Sequence, residues 1–78
     1  MKPLSKEEAD RVKGLQDVDR EPFTTVEGVV LRSADGKEFV HLRGAISDKS
    51  VNNVYAVEPG EDWKSVAREA FKEVFDSV

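Results

Sequence analysis

The sequence predicts an α+β domain in which a short N-terminal helix and a three-stranded antiparallel β-meander precede a long C-terminal helix. Three observations predict it: a helix-capping signal near the start, two β-branched runs joined by a turn, and a final apolar stripe at helical spacing. The 78 residues are expected to form one small domain, divided into residues 1–22, 23–58 and 59–78. A domain of this size uses most of its apolar side chains in one core, which disfavours a deep pocket formed within a single chain.

The first segment, residues 1–22, is expected to contain a short helix followed by a loop. Ser5 is the predicted N-cap, and Glu8 stands three residues later as its capping-box partner. Only Ala9 and Val12 fall on an apolar face, so this helix can bury little surface and is expected to pack loosely. The next apolar residues are interpreted as anchors of the loop: Leu15, Val18 and Phe23.

Residues 23–58 are expected to form the sheet, beginning with a hairpin around Asp35-Gly36. Two registers are compatible with this turn. A two-residue turn would place Leu31 opposite Val40, whereas a three-residue loop with a left-handed Gly36 shifts the pairing by one residue. The shifted register is favoured because it creates two pairs of opposite charge around one aliphatic pair: Arg32 with Glu38, Glu27 with Arg43, and Val30 with Val40.

Alternation along the second strand of this hairpin assigns its side chains to two faces in either register. One face carries Val40, Leu42 and Ile46, and the other carries Phe39, His41 and Arg43. Because the first set is purely aliphatic, we expect it to lie under the C-terminal helix. The second set is then left for solvent, a partner or the N-terminal helix.

A third strand is predicted over residues 51–57, after a turn at residues 47–50. The short connection makes it antiparallel to the strand before it. Its larger apolar set is placed inward: Val51, Tyr55 and Val57.

The last segment, residues 59–78, is predicted to be an amphipathic helix with Gly60 or Asp62 as its N-cap. Its apolar residues recur at the spacing of one helical stripe: Trp63, Val66, Ala67, Ala70, Phe71, Val74, Phe75 and Val78. This stripe is expected to cover one side of the sheet.

Composition excludes several classes of function and disfavours others. The chain has no Cys, which rules out disulfides, thiol nucleophiles and thiolate metal sites. Its formal net charge is −4 and no segment is basic, so binding of duplex nucleic acid is disfavoured. No apolar run is long enough to span a membrane and no signal-peptide pattern is present, so a cytoplasmic location is the default expectation.

No motif in the sequence indicates catalysis, a metal ion or a cofactor. His41 is the only histidine, and neither a nucleophile nor further ligands stand at a fixed spacing from it. There is no glycine-rich phosphate loop, and Gly60 precedes two acidic residues that would repel a phosphate. We therefore expect a protein that is not an enzyme, with His41 as an ordinary surface or cross-strand residue.

The sheet face away from the C-terminal helix is the predicted functional surface. Its expected residues are Phe39, His41, Arg43 and Arg32, an apolar patch with a polar rim that is typical of a protein interface. The favoured function is a small protein-binding, regulatory or accessory module. Homodimerisation through this face or through open strand edges is equally compatible, and a catalytic site assembled between subunits is the weakest hypothesis.

Single-stranded nucleic acid, RNA in particular, is the alternative ligand for the same face, because Phe39, His41 and Arg43 could stack on bases and hydrogen-bond them. The order helix, three strands, helix is also similar to that of the double-stranded RNA-binding domain. That resemblance implies lysines at the start of the last helix, where this chain instead has Glu61 and Asp62. Protein binding is therefore favoured over nucleic-acid binding.

Overall fold

The computed structural model describes all 78 residues, Met1–Val78. It is an α+β fold in which four antiparallel strands lie side by side in chain order, preceded by one helix and followed by another. The elements are α1 (Lys6–Val12), β1 (Gln16–Phe23), β2 (Val26–Arg32), β3 (Glu38–Ile46), β4 (Lys49–Val57) and α2 (Trp63–Asp76). The predicted class and meander are confirmed, but the predicted number of strands is wrong by one.

The additional strand is β1, which occupies residues expected to form a loop. Most of its side chains are exposed, and β1 is an edge strand that pairs only with β2. The register shifts between Asp17 and Asp19, so Val18 forms a bulge and is exposed instead of anchoring a loop. Pro22 is tolerated because an edge strand leaves half of its backbone groups without a partner. β1 is therefore a strand whose sequence lacks the alternation of apolar and polar residues by which strands are predicted.

The turn between β1 and β2 consists of Thr24 and Thr25 and has no glycine to mark it. Thr24 has a φ of 61°, which is costly for a β-branched residue. Contacts with β3 support the turn: the Thr25 hydroxyl donates to the Ala45 carbonyl, and the Ala45 N–H donates to the Thr25 carbonyl at 3.2 Å. Gly44 makes this approach possible, since a Cβ at this position would collide with the Thr25 carbonyl oxygen.

The β2–β3 hairpin has the register favoured from its charge pattern. Arg32 lies opposite Glu38, Val30 opposite Val40, and Glu27 opposite Arg43. Gly36 has a φ of 87°, as a left-handed loop residue requires. The Ser33 N–H donates to the Lys37 carbonyl at 2.9 Å, which closes the loop.

One face of the sheet, here called the α2 face, is covered by α2. Its core contains the predicted inward residues of β3 and β4 and the centre of the helix stripe: Val26, Val40, Leu42, Val51, Tyr55, Val66, Ala67 and Ala70. Ile46 and Val57, also predicted to point inward, pack against this core but are only partly buried. Gly28 lets the helix approach closely, because a Cβ there would lie 3.0 Å from that of Ala67.

The predicted helix stripe is wrong at its C-terminal end. Asp62 is the N-cap and accepts from the Ser65 N–H at 3.2 Å, but α2 ends at Asp76. Phe75 and Val78 remain 57% and 54% exposed. Helical periodicity identifies the apolar side of a helix, whereas the extent of the surface beneath it decides how many of those residues are buried.

The other face, here called the α1 face, is covered by the N-terminal segment. Val29, Leu31 and Val54 are almost fully buried there, and residues 1–15 are the only part of the chain left to cover them. The predicted cap is confirmed, since Ser5 Oγ accepts from the Glu8 N–H at 3.2 Å. Ala9 is the only buried residue of α1, so the expectation of little burial is also confirmed.

Candidate functional site

Three of the four predicted site residues share the α1 face, and the fourth does not. Phe39, His41 and Arg43 are each half-buried, at alternate positions of β3. Arg32 pairs with Glu38, which is one residue out of phase with them. The grouping of Arg32 with the other three is therefore wrong, because the hairpin register directs its side chain to the α2 side of the sheet.

His41 makes a cross-strand hydrogen bond. Its Nε2 lies 2.7 Å from Oδ1 of Asn52, so the Nε2–H donates to the amide oxygen. Asn52 belongs to β4 and stands diagonal to His41, whose direct partner is Val54. The interpretation of His41 as a cross-strand residue is confirmed.

Arg43 is engaged by a carboxylate of the neighbouring strand. Its Nε donates to Oε2 of Glu27 at 3.1 Å, and the other oxygen of that carboxylate accepts from Arg20 at 3.3 Å. Glu27 thus bridges β3 to β1 across the end of the sheet. The charge of Arg43 is largely balanced within the chain, and its side chain remains partly exposed.

Phe39 lies in an open cleft of about 390 Å³, here called the Phe39 cleft. The cleft is situated where β3 begins and β4 ends, between the β2–β3 loop and the loop that leads to α2. Its lining residues are Asp35, Gly36, Lys37, Glu38, Phe39, Ala56, Val57, Glu58, Pro59, Gly60 and Glu61. No residue of the N-terminal segment lines it, so α1 does not close it.

Phe39 is among the predicted site residues, but the second wall of this cleft is not. Pro59-Gly60 is predicted only to end the third strand, and Glu61 only to lie at the start of the last helix. A usable signal was present, because β3 and β4 are antiparallel and the start of one therefore lies beside the end of the other. The turn at Asp35-Gly36 and the turn at Pro59-Gly60 must consequently face each other across one end of the sheet.

The charged groups of the Phe39 cleft are predominantly acidic: Asp35, Glu38, Glu58 and Glu61 against Lys37. Glu38 is balanced by Arg32, which donates to it from two nitrogens at 2.7 and 3.2 Å. The hydroxyl of Ser33 donates to the Asp35 carboxylate and lowers the pKa of Asp35, which keeps this group ionised. Glu61 accepts the Glu58 N–H at 2.9 Å, and neither glutamate carboxylate has an ion-pair partner.

Three further observations bear on function. No group of three or more His, Asp or Glu side chains is placed to hold a metal ion. Neither helix has the length and apolar character needed to cross a bilayer. Comparisons with protein-family models, with curated proteins and with solved structures find no match to this chain.

Proposed function

We propose that this chain is a small non-enzymatic protein-binding module, of a regulatory or accessory kind, that acts through the sheet face opposite α2. The observation that carries the proposal is the position of Phe39, a large apolar side chain left open to a cleft at the end of this face. Aromatic side chains in such positions supply a large share of the binding energy at protein interfaces.

The surroundings of Phe39 have the composition of an interface. Ala56 lies directly opposite Phe39 on β4 and extends its apolar surface, while His41 and Arg43 continue along the same face of β3 with polar groups already hydrogen-bonded. A partner can contact these groups without leaving an unpaired charge behind. An apolar centre with a satisfied polar border supports recognition by surface contact.

Single-stranded nucleic acid remains a prediction for this face, and no observation favours it. Both arginines that would meet phosphates, Arg43 and Arg32, already pair with glutamates of adjacent strands. A phosphate would have to compete with those carboxylates, which weakens the electrostatic attraction on which such binding depends.

The test is a matched pair of double variants in affinity capture from the native source. Phe39→Ala with Arg43→Ala removes the proposed contact surface, and Phe75→Ala with Arg68→Ala makes the same chemical changes at exposed positions of α2. We expect the first variant to lose captured protein by about thirtyfold, the effect of one strong interface residue, and the control to capture as much as the unaltered chain.

Thermal unfolding of both variants accompanies the capture experiment. A folded Phe39→Ala, Arg43→Ala variant that retains its partner would overturn the proposal, as would loss of the partner in the control alone. If the first variant unfolds, Phe39 and Arg43 belong to the core, and the proposal is also overturned. Recovery of salt-sensitive nucleic acid in place of protein would replace the proposal with the alternative ligand.

A further inference from the structure

The volume of the Phe39 cleft is suited to one or two side chains of a partner. Its volume of about 390 Å³ lies at the lower end of the range of about 300–1,000 Å³ found for ligand pockets. The apolar residues of its lining are Phe39, Ala56 and Val57, of which Phe39 and Ala56 lie directly opposite each other on the α1 face. A single apolar side chain from a partner can therefore be desolvated there against the Phe39 ring.

The walls of the cleft are open to close approach by another backbone. Gly36 stands in one wall and Gly60 in the other, with φ angles of 87° and 88°. A Cβ built at either position meets no atom within 4 Å, so both walls present bare backbone to the solvent. At these two positions no side chain stands between the turns and an approaching segment.

The acidic residues around the opening of the cleft favour a segment that carries positive charge. Glu58 and Glu61 have no cationic partner, and Asp35 carries a charge opposed within the lining only by Lys37. Carboxylates on both sides of an apolar surface attract cations and repel an acidic segment. The same charges make phosphate-bearing ligands unsuitable for this end of the face.

We infer that the Phe39 cleft receives a basic segment of a partner protein, in which one apolar side chain is flanked by lysines or arginines. The inference rests on the proposed protein-binding function and adds the chemistry of the partner to it. The apolar side chain lies on Phe39, and the flanking cations lie over Asp35 on one wall and over Glu58 and Glu61 on the other.

Three blocked peptides provide the probe: GKKLKKG, GEELEEG and GKKAKKG, added to the isotope-labelled full chain at low salt. Backbone amide chemical shifts report both affinity and position. We expect the lysine–leucine peptide to shift the amides of Gly36, Phe39 and Gly60, the glutamate peptide to bind at least tenfold more weakly, and the alanine peptide to lose about fivefold.

A second experiment tests the carboxylates directly. Glu58→Gln with Glu61→Gln preserves the side-chain shape and the acceptor oxygen of residue 61, and it should weaken the lysine–leucine peptide about fivefold and flatten its salt dependence. Glu69→Gln with Asp76→Asn changes the net charge equally on exposed positions of α2 and should leave the affinity unchanged.

The outcomes separate this inference from the function on which it rests. Equal binding of the glutamate peptide, or no saturable shift with the lysine–leucine peptide, overturns the basic partner even if native capture still depends on Phe39. Shifts confined to another surface overturn it as well. Native capture that survives loss of Phe39 removes the proposed function, whatever the peptides do.

Discussion

The two faces of the sheet are covered by very different helices. α2 has fourteen residues, of which three are buried, whereas α1 has seven residues and buries one. Both faces nevertheless contain almost fully buried aliphatic side chains, such as Leu42 on the α2 face and Leu31 on the α1 face. An amphipathic helix can define its own docking surface, but a short helix is held in place mainly by the surface it covers.

The largest expected effect comes from replacing one buried leucine on each face with alanine. Leu42→Ala should lower the free energy of unfolding by ~3–5 kcal/mol, because the long helix and the close contact at Gly28 prevent the cavity from collapsing. Leu31→Ala should cost ~2–3 kcal/mol, since the seven-residue α1 can settle into the space. Urea denaturation of both variants measures the difference.

Equal losses in the two leucine variants would contradict the comparison and indicate that α1 packs as rigidly as α2. The slope of the transition serves as the control, because an unchanged slope shows that both variants unfold from the same compact state.

Removing the two helix caps should produce effects of different kinds. Asp62→Ala removes the acceptor for the Ser65 N–H and should lower global stability by ~1 kcal/mol. Ser5→Ala should instead increase amide exchange within α1 with little change in the melting temperature, because we expect α1 to open while the sheet stays folded. A drop in melting temperature as large as that of Asp62→Ala would show that α1 belongs to the global unfolding unit.

The smallest expected effect is a dependence on alkaline pH that reports on the α2 face alone. Burial raises the pKa of Tyr55, the only tyrosine, and Glu73 acts in the same direction. The unfolded chain releases this proton near pH 10 while the folded chain holds it, so stability should fall as pH rises above about 10.

Phenolate absorbance should locate the titration of Tyr55, with Tyr55→Phe as the variant that lacks both the signal and the pH dependence. Leu42→Ala should move the pKa of Tyr55 back towards its ordinary value, because water gains access to that core. Leu31→Ala should leave it unchanged. A shift of equal size in both variants would show that the two faces are not independently packed.

Sequence patterns predicted those parts of the fold where charge or hydrophobicity is periodic. The β2–β3 register followed from two pairs of opposite charge, and the position of α2 followed from its stripe as far as Val74. β1 escaped prediction because an edge strand with a bulge at Val18 needs neither alternation nor an apolar face. Its turn escaped because the support for Thr24 and Thr25 comes from β3, twenty residues away.

The candidate site was predictable only in part for a similar reason. Alternation placed Phe39, His41 and Arg43 on one face, since period two is a property of the strand itself. The face on which Arg32 lies depends instead on the hairpin register, which pairs Arg32 with Glu38 and not with Phe39. The second wall of the cleft, around Glu58 and Glu61, depends on the meeting of two turns that lie more than twenty residues apart.

The outer edges of the two border strands, β1 and β4, are both interrupted. On β4, the outward carbonyl of Val54 already accepts the Leu4 N–H at 2.7 Å. On β1, the bulge at Val18 and the missing N–H of Pro22 interrupt the row of backbone groups that an added strand would need. Both borders are therefore interrupted, at one or two points each, as templates for fibril growth or for a partner that binds by strand addition. A strand added at either border would meet these interruptions, whereas contacts made by side chains would not, and contacts of that kind can be retuned by point substitutions one residue at a time.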